Sequence, residues 1–168
     1  MSDATPGLQP LGRRPGAHHR QMKIKDFLAP ANVEIDVRAG GKAALLKDLS
    51  ARAAFALALP EDLVASEIEK RDELGSTGIG SGVSIPHARF QGVKKPFGLL
   101  VRLKQAIDFH AIDGQPVDIV FMLVLPAASQ LDQLNALAAV ARKLRDPDVL
   151  KAARRATSSA DLYRAVAD

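Results

Sequence analysis

The stretch VDIVFMLVL, residues 117–125, decides the fold. Only Asp118 interrupts a run of apolar and mostly β-branched or aromatic side chains. A run of this length and composition suits a strand at the centre of a sheet, with both faces covered. It is not a membrane span. The longest apolar run of the chain, residues 119–128, is ten residues with Pro126 inside it, and a span needs about twenty.

Working outward, residues 97–103 form a second strand signal, and Asp113-Gly114 marks a turn between the two. Farther upstream, Val33-Glu34-Ile35-Asp36-Val37 alternates apolar and polar residues, as a half-buried strand does. Gly40-Gly41 ends it. Residues 42–59 read as a helix with Leu45, Leu49, Ala53 and Ala56 on one face. Pro60, followed by Glu61 and Asp62, starts another helix, because proline fits the first turn and acids favour the positive end of the helix dipole. Leu63, Val64 and Ile68 supply its apolar stripe, and Leu74-Gly75 its end, where glycine can take the left-handed cap. Downstream of the central run, Leu131, Leu134, Leu137, Val140 and Leu144 recur at spacings of three and four and predict a helix buried along that stripe. Asp146-Pro147 starts a short helix to about Arg155, and Ser158 with Asp161 caps a last one to about Ala167. Helices at both ends of the strand-rich region can cover both faces of a sheet. The expectation is an α/β sandwich, with a mixed sheet of four to five strands flanked by helices on both faces.

The chain has 168 residues, one domain's worth, with 47% hydrophobic and 25% charged residues. With no Trp, one Tyr and six Phe, its core must be aliphatic. Zero cysteines exclude a disulfide framework, a thiolate metal site and a cysteine nucleophile. The net charge is +4, half of it from residues 1–21, where Arg13, Arg14 and Arg20 face Asp3. That segment holds three prolines, three glycines and no hydrophobic period. It reads as a disordered, solvated leader and, lacking an apolar centre, not as a secretory signal. His18 and His19 within it are read as tail polarity rather than metal ligands. No basic stripe with a recognition helix or stacking aromatics points to nucleic acid.

Chemistry concentrates in RDELGSTGIGSGVSIPHAR, residues 71–89. Its glycines are not a phosphate loop of the Gly-Lys-Ser/Thr kind, since no such triplet follows. Nor are they a dinucleotide fingerprint, which follows a strand and opens a helix, whereas these follow a helix and open a strand. They let the backbone turn N–H groups toward one point, and Ser76, Thr77, Ser81 and Ser84 add hydroxyls. Pro86 makes Ile85 extended on the approach to His87. If the strand continues, Arg89 shares a face with His87, and Arg71 can fold back from the preceding helix. A neutral imidazole so placed has a lone pair that can attack phosphorus, while guanidinium and hydroxyl donors can hold the phosphoryl oxygens. The residue types also allow His87 to be an ordinary structural histidine in a glycine-rich loop. A hydrolytic serine triad lacks its G-x-S-x-G context. No metal is expected either: His110, the only other histidine beyond the leader, has no second ligand at useful spacing and reads as a surface strand residue.

Taken with FHAIDGQPVDIVFMLVLP (residues 109–126) and LNALAAVARKLRD (residues 134–146), that stretch resembles enzyme IIA of the bacterial phosphoenolpyruvate-dependent sugar phosphotransferase system. The nearest branch is the nitrogen-regulatory IIA, related to the fructose/mannitol IIA domains. The resemblance spans residues 22–168, read as a IIA type-2 domain behind the leader of residues 1–21. It implies an α/β sandwich, in agreement with the pattern above. It implies that His87 accepts a phosphoryl group from an HPr-type histidine phosphocarrier and that Arg71 braces it. Ser76, Thr77, Arg89 and Gln133 are expected around the phosphate. Gln133 stands where many relatives carry a second histidine, so it can hydrogen-bond there but cannot carry a proton as imidazole does.

The resemblance further implies a cytoplasmic phosphotransferase without cofactor, metal or membrane insertion, whose phosphorylation state acts on regulatory protein targets. A fructose/mannitol-type IIA feeding a sugar permease is one alternative. A binding module that has lost phosphotransfer is the other.

Overall fold

Among the described residues, six strands and five helices follow the order the sequence suggests. The computed structural model describes residues 21–168; the expected leader, with His18 and His19, lies outside the described residues apart from Gln21. Two 3₁₀ turns, Ile24–Asp26 and Pro30–Asn32, lead into β1 (Val33–Val37). Then come α1 (Lys42–Leu57) and α2 (Glu61–Glu73), and a strand-rich middle of β2 (Gly78–Gly80), β3 (Val83–Ser84), β4 (His87–Phe90), β5 (Phe97–Ile107) and β6 (Val117–Pro126). The chain ends in α3 (Gln130–Leu144), α4 (Pro147–Arg155) and α5 (Ser159–Ala167).

The sheet runs β1-β5-β6-β3-β2, with β4 also paired to β6. β1 lies parallel to β5, β5 antiparallel to β6, both β3 and β4 parallel to β6, and β2 antiparallel to β3. The sheet is mixed, as expected, but it has six strands rather than four to five. The reason is local. β3 and β4 occupy one lane beside β6, Val83 opposite Ile119 and His87 opposite Leu123. Pro86, which has no N–H to give, divides that lane in two. Its carbonyl still accepts from the Leu123 amide at 2.8 Å, so the lane keeps its course across the break.

β6 is buried on both faces, as its composition requires. Val120, Met122 and Val124 join Leu99 and Val101 of β5 under α1 and α2, together with Leu45, Leu49, Ala53, Val64 and Ile68. Ile119, Phe121, Leu123 and Leu125 face α3, α4 and α5, against Val140, Leu144, Leu150, Leu162 and Val166. Each such side chain contributes roughly 1.5–3 kcal/mol on burial, so the alternation along one strand supplies two cores at once.

The helix boundaries follow from their caps. α2 stops at Leu74, and Gly75 takes φ 152°, a region closed to most side chains. The side chains of Ser129, Asp146 and Ser158 each accept an amide from the first turn of α3, α4 and α5. At the far end of α4, Arg102 of β5 donates from Nη1 to the carbonyls of Ala153 (3.0 Å) and Ala156 (2.7 Å).

The expected stripes need three corrections. In α1, Ala56 is exposed, while Leu46 and Ala54 complete the buried face. In α2, Leu63 is exposed and Val64 and Ile68 carry the packing. In α3 the buried face runs Gln133, Ala136, Val140 and Leu144, leaving Leu131 56% and Leu134 60% exposed. The helix is rotated from the leucine spacing because its first turn caps the sheet end through polar contacts rather than burying its leucines.

Candidate functional site

Strand parity places the imidazole. His87 lies beside Leu123 in parallel register, so the two side chains share the sheet face covered by α3, while Ala88 and Phe90 turn to the α1/α2 side. β4 pairs with β6 alone. Among the described residues no strand pairs with the other edge of β4, and His87 lines a groove of about 660 Å³. Arg71, Leu74, Arg89, Gln133 and Leu137 line the same groove. Arg71 reaches it from the last turn of α2, and Gln133 and Leu137 from the first turns of α3.

The ring's orientation is set by two contacts. Nδ1 lies 2.8 Å from the Ile85 carbonyl. A carbonyl only accepts, so Nδ1 carries the proton and donates. Nε2 of the neutral ring then holds the free lone pair, and it faces Arg71, whose Nε–H approaches it at 3.4 Å. Arg71 is steadied by a second bond, from Nη1 to the Gly75 carbonyl at 3.0 Å. Partial burial pushes the imidazole below its ordinary value. The Ile85 bond pulls the other way, and the charges of Arg71 and Arg89 add to the lowering. The balance favours a neutral ring at pH 7, with a nucleophilic nitrogen under the charges of Arg71 and Arg89 in a groove that Glu67, Lys70 and Glu73 also line.

Of the six residues expected at the phosphate, four meet in this groove: His87, Arg71, Arg89 and Gln133. Ser76 and Thr77 are not among its lining residues. The Ser76 hydroxyl donates to the Phe109 carbonyl (3.1 Å) and accepts from the Gly78 amide (3.1 Å). The Thr77 hydroxyl is buried against that of Ser84 at 2.9 Å. These bonds fasten the glycine segment to the fold instead of presenting donors to a ligand.

Other residues fasten it too. The Asp113 carboxylate accepts from the Ser81 amide at 3.0 Å and from the Gln115 amide at 3.0 Å. Arg154 pairs with Asp118 and also reaches the Ser81 carbonyl. Gly82, at φ 78°, lies where an added Cβ would stand 2.6 Å from Arg154 Nη2 and 3.0 Å from Asp118 Oδ1. The Asp113-Gly114-Gln115-Pro116 turn thus acts as a clasp on the glycine segment. His110 belongs to that turn region, exposed, outside any strand and at φ 54°, rather than to a strand surface.

Sequence reasoning missed the Ile85 carbonyl as the ring's anchor. The Ile-Pro-His order was its signal, since the proline holds the residue before it extended. A small apolar patch around His87 is expected for a transient partner, but not the residues that supply it: Leu74, 85% exposed, and Leu134, one turn from Leu137.

Comparison with known proteins bears on this arrangement. The family model described as "Phosphoenolpyruvate-dependent sugar phosphotransferase system, EIIA 2" matches residues 26–168. A nitrogen regulatory protein of Bradyrhizobium diazoefficiens is 39% identical over 146 residues, covering 87% of this chain and 95% of its own. One from Escherichia coli K12 is 38% identical over 133 residues, covering 79% and 82%. The crystal structure of nitrogen regulatory protein IIA-Ntr from Neisseria meningitidis superposes with a TM-score of 0.81 at 28% identity, covering 85% of this chain and 98% of that one.

Proposed function

Since the chain belongs to the EIIA 2 family of the phosphoenolpyruvate-dependent sugar phosphotransferase system, we propose that His87 is its phosphoryl acceptor and that an HPr-type phosphocarrier is the donor. Residues 22–168 form the carrier domain in this reading. The observation that carries it is the bond from Nδ1 to the Ile85 carbonyl, which leaves Nε2 as the one nucleophilic nitrogen, in a groove that Arg71 and Arg89 also line.

The lone pair of Nε2 attacks the phosphorus of the donor's phosphohistidine in line. The P–Nε2 bond forms as the donor's P–N bond breaks, and that electron pair leaves with the donor ring. The proton on Nδ1 stays, so the phosphorylated ring of His87 carries positive charge toward the Ile85 carbonyl, which stabilises it. Arg71 swings its guanidinium from the bare nitrogen to the phosphoryl oxygens, and Arg89 adds its charge from the same groove. Little else is required, because phosphoryl transfer depends chiefly on positioning and charge. The exposed Leu74 and Leu134 beside the groove provide the small apolar contact that a transient partner needs.

The similarity to nitrogen regulatory proteins supports a regulatory rather than a sugar-delivering carrier. Its phosphorylation state would act on protein targets in the cytoplasm. The test is incubation with phosphoenolpyruvate, the first enzyme of the system and an HPr-type carrier. Wild type should take up one acid-labile phosphoryl group and His87→Ala none; a wild type that takes up none sinks the reading.

A further inference from the structure

Gln133 differs from the other polar residues of the groove in what its bonding leaves free. Its side chain is almost buried, with the residue 8% exposed. Nε2 donates to the Pro126 carbonyl at 2.9 Å and toward the Ala127 carbonyl at 3.4 Å. Two backbone carbonyls accept and cannot donate, so the amide nitrogen must face them and the orientation of the group is fixed. Oε1 is what remains. It has no hydrogen-bond partner among the described residues and is not among their sealed side-chain atoms, so it opens to the groove that Gln133 lines with His87.

We propose that Gln133 offers an acceptor oxygen, not a donor, to the phosphoryl group on His87, and so raises that group's transfer potential. The inference rests on the phosphocarrier reading above. A phosphoryl group near neutral pH has only acceptor oxygens to present. Beside Arg71 and Arg89 they find donors; beside Oε1 they meet another partial negative charge. Turning the amide over would set Oε1 against the Pro126 and Ala127 carbonyls and abandon the bonds that hold the first turn of α3 to the end of β6, so the repulsion is not relieved by a simple flip. The phosphorylated state is thereby held above the level the two arginines alone would give it, and the group passes on readily.

The experiment is the equilibrium between the full chain and a phosphorylated HPr-type carrier, read as the ratio of the two phosphoproteins. Gln133→Met keeps the length and removes the oxygen; it should raise the equilibrium constant for loading His87 roughly three- to tenfold. Gln133→Glu keeps an acceptor and adds charge; it should lower the constant by at least as much. A merely structural role would lower loading in both variants, so the rise in one and the fall in the other mark the electrostatic effect. A constant for Gln133→Met equal to or below that of wild type overturns the inference while leaving the carrier reading intact. Should that variant fail to fold, Gln133→Leu, which also lacks the oxygen, takes its place with the same expected rise, and an unchanged or lowered constant overturns the inference. A wild type that never loads brings down the carrier reading and this inference with it.

Discussion

β3 and β4 are two halves of one lane beside β6, in continuous register, yet they are built for different ends. β3 is enclosed. β2 covers its outer edge, Val83 and Ser84 are fully buried, and the Thr77–Ser84 hydroxyl pair ties it inward. Among the described residues β4 has no strand on its outer edge, and His87, Ala88 and Arg89 all line the groove. The division falls at Pro86. A single residue that cannot donate a backbone hydrogen bond separates a half that holds the fold from a half that brings the His87 ring to the groove.

If that division is right, substitutions in the two halves must fail in different ways. The largest effect belongs to His87→Ala, which should abolish phosphoryl uptake while the chain still unfolds cooperatively in a denaturant titration. A variant that still takes up the group would move the chemistry out of β4. Next comes Arg71→Ala, expected to slow uptake by about 10²- to 10³-fold, measured as the initial rate from a phosphorylated carrier. Arg71→Lys should recover little, since a point charge lacks the planar fork. Thr77→Ala probes the enclosed half. It strands the buried Ser84 hydroxyl and should cost about 1–3 kcal/mol in urea unfolding, with uptake per folded molecule unchanged. A loss of uptake at full stability would instead make Thr77 part of the reacting site.

The smallest effect is a pH dependence. The folded His87 ring titrates below its ordinary value of about 6.5. The rate of uptake should therefore stay level as pH drops through 6.5 and fall only at more acid values. The linkage has the same sign. The fold favours the neutral ring, so its contribution to stability is complete above about 6.5 and is lost as pH drops through 6.5 toward the lower, folded value. His87→Ala should flatten that part of the stability profile.

Much of this division was legible beforehand, and the gaps have physical causes. The central strand could be read because burial on both faces leaves an unbroken apolar run, and the helix ends because caps depend on one or two residues at fixed offsets. His87, Arg71 and Arg89 could be placed because strand parity and a helix end are local rules. Ser76 and Thr77 could not be placed, because whether a hydroxyl turns to a ligand or to its own chain depends on Phe109, far along the sequence, and on the β2–β3 turn that brings Ser84 back to Thr77. The α3 stripe misled for a related reason. Leucine spacing reports a helix but not which side meets the sheet, and here a glutamine bonded to two carbonyls took the inward place.

The pairing of β1 with β5 has a consequence for how the molecule is made. Val33 finds its neighbour only at Leu100. On a ribosome the first strand emerges long before the backbone it will zip to, and until then α1 and α2 have only each other for shelter. A nascent chain halted ahead of β5 would hold a helical hairpin and a lone ribbon with nowhere to dock. Assembly of the sheet must await synthesis of its middle, which makes this topology slow to nucleate and leaves β1 without its sheet partner until β5 is made.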